Sequence, residues 1–144
     1  MTAQNRARFF EIWKKAKENL PMEGEEALFA EIMLEHREHH SLFDLGEAAM
    51  NIDFAGRRQT NPFLHTSLHA VVEQQLQAHQ PIEVEQALLT LISRGEPRHD
   101  AIHQIGGILA QVLYDAVTRN KAIDEADYLL KLRELIYSPP PDLQ

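Results

Sequence analysis

The sequence predicts an all-α protein: a compact bundle of about five or six helices with histidine pairs facing its core. Three observations predict it. Apolar residues recur at three- and four-residue spacing through nearly every segment, which is the period of a helix buried on one face. Proline and glycine punctuate the chain where those segments stop. No alternating apolar run and no strand–helix–strand pattern is present.

The first helix is expected over about 5–19, with Phe9, Ile12, Trp13 and Ala16 as its stripe and Pro21 beyond its end. A second is expected over about 24–40, with Leu28, Phe29, Ile32 and Met33 inward. Glu23, Glu25 and Glu26 supply favourable charge at its start. Residues 41–50 suit a short helical turn, and 51–60, with Gly56 and two arginines, read as loop. The third helix has the sharpest start. Asn61 is an N-cap and Pro62 takes the first helical position, where its missing N–H costs nothing; the helix reaches about His79, before Pro81. A fourth covers 82–93 and is ended by Arg94-Gly95. A fifth runs over about 97–118 and a sixth over about 122–136. The reading is one domain over 1–137, followed by a disordered tail, 138–144, that holds three consecutive prolines.

Composition narrows the function. The 144 residues suffice for a real core. A formal net charge of −8 argues against nucleic acid and anionic membrane as partners, since both are met by basic surfaces. The absence of cysteine excludes disulfides, thiolate metal sites and cysteine nucleophiles. No secretory leader pattern and no apolar run of spanning length is seen, so a cytoplasmic location is expected. Phe9, Phe10 and Trp13 read as core or as a contact in a homodimer, and no small-molecule substrate can be named.

The histidines carry the information. Six of eight form pairs at spacing i, i+4: His36/His40, His65/His69 and His99/His103. Random placement in this length gives roughly 0.4 such pairs. On a helix, such a pair stacks on one face and can chelate one ion. The arcs they share are apolar: Phe29, Ile32 and Met33; Leu68, Val72 and Leu76; Ile102, Gly106, Ala110 and Leu113. A single inward histidine is more often a hydrogen-bonded core residue. Six of them present about a dozen ring nitrogens with few polar side chains to meet them, at a cost of about 1–3 kcal/mol for each one left unpaired. A metal relieves this. Glu73, one turn past His69, is the carboxylate expected to join the ligands or act as a base. Glu31, Glu35, Asp53, Glu96 and Asp100 read as solvated or supporting groups, and His39 and His79 as structural or exposed. A histidine-rich, carboxylate-poor site suits non-haem iron or zinc, not magnesium or calcium. Iron implies oxygen or redox chemistry, and zinc implies hydrolysis. The rival reading is a non-catalytic interaction module with a buried, acid-responsive histidine network. Whether the protein is an enzyme stays open at this point.

The zinc-protease motif His-Glu-x-x-His is absent, and His99-Asp100 lacks the apolar run that precedes this dipeptide in helical phosphohydrolases. The run Asn61-Pro62-Phe63-Leu64-His65-Thr66-Ser67-Leu68-His69, with Glu73 and Gln74, resembles a bacterial family described as a domain of unknown function, number 1841 in its series. Arg8-Phe9-Phe10, Trp13-Lys14 and Leu20-Pro21 are similar to its opening. Glu35-His36-Arg37-Glu38-His39-His40 is similar to its His-Pro-Glu-Tyr-His segment, with Arg37 for proline and His39 for tyrosine. His99 to His103 and the helix after it match as well. The resemblance covers nearly the whole chain. It implies a compact helical domain of proteobacterial origin and brings no activity with it.

Overall fold

The computed structural model describes residues 3–54 and 61–138. It is all-α, with seven α-helices and no strand among the described residues. They are α1 (Ala3–Lys17), α2 (Gly24–Glu35), α3 (His40–Asp44), α4 (Pro62–Ala78), α5 (Ile82–Ser93), α6 (Arg98–Thr118) and α7 (Glu125–Tyr137). Short 3-10 turns at Arg37–His39 and Gly46–Ala49 flank α3. None of these helices is long and apolar enough to cross a membrane. The chain divides into two compact units, Met1–Ala70 and Val71–Gln144, where the sequence reading has one domain over 1–137. Residues 55–60 of the expected loop and 139–144 of the expected tail lie outside the described residues.

The first unit is built on aromatic residues. Phe9, Ile12 and Trp13 of α1 pack with Ala30 and Met33 of α2, Phe43 of α3, Phe54 and Phe63. Phe9 and Phe43 each meet Phe63 edge-on, with ring centroids 5.4 and 5.8 Å apart. That geometry sets ring edges against ring faces and adds to simple burial. The Trp13 indole N–H donates to Asp44 Oδ1 at 2.8 Å and so ties α3 to α1. Arg6, nearly fully buried, donates from one guanidinium nitrogen to the carbonyls of Ala49, Met50 and Ile52. Its cation lies 4.7 Å above the Phe63 ring. The carbonyls where the Gly46–Ala49 turn ends thereby gain a charged donor.

In the second unit α5, α6 and α7 pack on one another through Val84, Ala87, Leu88 and Leu91, through Ile105, Leu109 and Val112, and through Tyr128 and Leu132. The Tyr128 hydroxyl donates to Gln75 Oε1 at 2.9 Å, and burial pushes its phenol up to about 12. Arg94 repeats the device of Arg6: its guanidinium meets the carbonyls of Leu135, Ile136 and Ser138 where α7 ends. Asp124 caps the start of α7 by accepting from Asp127 N–H.

Four helices end in the same hydrogen-bond pattern. Leu20, Gln80, Glu96 and Lys121 each donate five residues back, beside a left-handed residue: Asn19, His79, Gly95 and Asn120. Only glycine takes that backbone without strain. His79, at φ 56°, therefore costs about 1 kcal/mol, and its exposed contact with Glu85 returns little. Replacing His79 with glycine is expected to raise the melting temperature by about 2–4 °C, read by thermal unfolding.

Candidate metal centre

Helix α4 positions two histidines in the way its sequence dictates. Asn61 Oδ1 accepts from the N–H groups of Phe63 and Leu64 at 3.0 and 3.2 Å, and Pro62 opens the helix. His65 and His69 follow four residues apart, so both rings leave the same face in the first two turns. His69 is buried and His65 half-buried.

The third histidine arrives by a route the periodicity does not predict. The helix expected over 24–40 ends at Glu35, and His36 is its C-cap, at φ −101° and ψ 77°. In a continuing helix the His36 N–H would bond Ile32 O. Here that N–H goes to Met33 O, and His36 Nδ1 takes Ile32 O at 2.6 Å instead. The side chain has replaced the backbone as donor, and the helix stops there. A carbonyl only accepts, so Nδ1 carries the proton and Nε2 is left with its lone pair. His36 is fully buried, and its Nε2 lies 3.0 Å from His65 Nε2.

Within this first unit the structure brings together His36, His65 and His69. Each offers a ring nitrogen, and these nitrogens lie within 4.8 Å of one another. The ring of His36 meets those of His65 and His69 nearly at right angles, with centroids 4.7 and 5.3 Å away. Metal–imidazole bonds of about 2.0–2.1 Å at angles of 90–110° place neighbouring donor nitrogens about 2.9–3.4 Å apart. The His36–His65 pair already has that spacing. A hydrogen-bonded backbone carbonyl behind a ligating imidazole also fixes its tautomer and raises its basicity. The Nδ1–H form of His36 is expected in the metal-free protein, read from its ring 15N shifts.

The other expected residues are placed as follows. His40 is not on one helical face with His36. Its Nε2 lies 3.0 and 3.1 Å from the carbonyls of Met33 and Leu34, closing the end of α2, and its ring packs on Trp13 at 4.7 Å. Both oxygens of Glu73 are held by the Arg98 guanidinium, at 2.8 and 3.0 Å. His99 and His103 meet at a tilt of 57° in the first turns of α6, with centroids 4.1 Å apart, and belong to the second unit.

Periodicity missed His39. The 3-10 turn swings it inward, so it is buried with its ring parallel to that of His36, 5.5 Å away, and edge-on to His65 at 5.3 Å. Its Nδ1 has no hydrogen-bond partner among the described residues. Burial pushes its imidazole below the usual histidine range, against the pull of the Glu38 carboxylate. Partial burial raises the Glu38 carboxyl. Its own backbone N–H and the His36, His39 and His65 rings outweigh that and leave it below the usual range. Only the run of histidines 36, 39 and 40 hints at this in the sequence.

Fold and site together define an all-α protein with a cluster of imidazoles that could hold a metal ion. The chain belongs to the family described as "Domain of unknown function (DUF1841)", whose model matches residues 1–134. No curated protein and no solved structure matches it.

Proposed function

We propose that this protein binds a transition-metal ion through His36, His65 and His69, with zinc the first choice and iron the second. The observation that carries the reading is the convergence of three imidazoles, one of them with its lone pair fixed on Nε2 by the Ile32 carbonyl. An all-nitrogen donor set suits zinc, and three histidines with an open position is a known catalytic zinc arrangement. The two-histidine, one-carboxylate set of non-haem iron enzymes needs a carboxylate, and the one the sequence nominates, Glu73, is engaged by Arg98. An ion held by neutral ligands keeps its Lewis acidity, so hydrolysis or hydration is the chemistry it supplies.

Elemental analysis of the purified protein, with melting measured before and after EDTA, tests this. Stoichiometric zinc and a melting point lowered by about 10 °C or more on chelation are expected, since a ligand at a thousand times its Kd contributes about 4 kcal/mol. Metal-free protein that EDTA leaves unchanged overturns it. That result favours the second reading, a buried histidine network, for which the His36–His65 contact stands on its own. Metal content of His99→Ala and His103→Ala variants decides whether the third pair adds a donor.

A further inference from the structure

The first unit holds a cavity of about 520 Å³ lined by Leu42, Leu45, Ile52, Phe54 and Pro62, with Glu38, His39 and Ser41 as its polar groups. That volume lies within the range of small-molecule sites, and so does the balance of a mostly apolar wall with a few polar groups. His39 is the second observation. It is more than nine-tenths buried, it lines this cavity, and its Nδ1 lacks a partner among the described residues. A buried ring nitrogen without a partner is costly, and native proteins retain such a group where something else satisfies it.

The polar groups agree on what that something is. The Glu38 carboxylate only accepts hydrogen bonds, the Ser41 hydroxyl can accept, and a neutral imidazole has one accepting nitrogen. Together they offer acceptors and one negative charge, and no cationic side chain is among the described lining residues. An anion would face repulsion from the Glu38 carboxylate. A protonated amine offers three donors and a positive charge. We propose that the cavity binds a small organic amine, its ammonium group on Glu38, His39 and Ser41 and its apolar body against Leu42, Leu45, Ile52 and Phe54. The site does not depend on the metal reading. His39 packs on both His36 and His65, so a bound amine would sit one imidazole away from the proposed ligands.

The test uses metal-free, full-length protein with three probes of one shape: benzylamine, benzyl alcohol and benzoate. Binding is read from the 13C-methyl signals of Leu42, Leu45 and Ile52. Benzylamine is expected to shift all three methyls and to bind about tenfold more tightly than the alcohol, with benzoate weakest. Glu38→Gln, at an exposed position, should remove the preference for the amine while leaving weak binding of the alcohol. His39→Phe should weaken all probes by filling the polar end. Methyls that do not respond to benzylamine, or benzoate binding as well as the amine, overturn the proposal. Neither outcome bears on the metal content, which is measured separately.

Discussion

Replacing His36 with alanine is expected to lower metal affinity by about a hundredfold. Structural zinc sites with four ligands are worth roughly 10–16 kcal/mol, or about 3 kcal/mol for each ligand, and every 1.4 kcal/mol is tenfold. His36 should sit at the severe end because two functions leave together. Its Nε2 is the donor whose lone pair is already fixed, and its Nδ1 takes Ile32 O where α2 ends. Competition titration with a chromophoric chelator gives the affinity, and metal-free melting gives the structural share. Exogenous imidazole should restore part of the metal binding and none of the helix end. A variant that keeps full zinc occupancy would remove His36 from the ligand set. His40→Ala is the control: its Nε2 is occupied by the Met33 and Leu34 carbonyls, so stability should fall while zinc occupancy holds.

Arg6→Ala is expected to be the most destabilising change away from the histidines, at about 3–5 kcal/mol, or about 10 °C in melting temperature. The arginine is nearly fully buried, and three carbonyls share its guanidinium at 2.8 to 3.4 Å. Truncation takes the charged donor from the Met50 and Ile52 carbonyls, leaves Ala49 O only its bond from Ile52 N–H, and strips a cation from the faces of Phe63 and Phe54. Lysine keeps the charge but not the flat guanidinium that lies over the Phe63 and Phe54 rings, so Arg6→Lys should recover less than half of the loss. Urea unfolding of the three proteins measures this. A loss below about 1 kcal/mol for alanine would mean that water serves the carbonyls equally well.

The helices were legible because their signals are local. The Asn61-Pro62 start of α4 lies where capping chemistry puts it, and α5 has the expected bounds of 82 and 93. His65 and His69 could be paired in advance because they share one regular helix. His36 and His40 could not, since no glycine or proline marks the end of α2. The terminator is a histidine ring bonding to a carbonyl four residues back, an option no propensity scale carries. The same break turns His39, read as structural or exposed, into a buried neighbour of the cluster. Arg6 was invisible for a related reason: its partners lie more than forty residues away, and a single arginine in a helical pattern looks solvated.

That the Ile32 carbonyl at the end of α2 is met by a side chain rather than by a backbone N–H ties two events that are ordinarily separate. Whatever grips the far nitrogen of His36 also immobilises the ring that holds Ile32 O. Amide protons around residues 33–40 should therefore exchange more slowly with solvent deuterium when an ion is loaded, although no peptide group there would touch it. The last turn of α2 would then work as a built-in gauge of occupancy, fraying when the cluster empties and tightening when it fills.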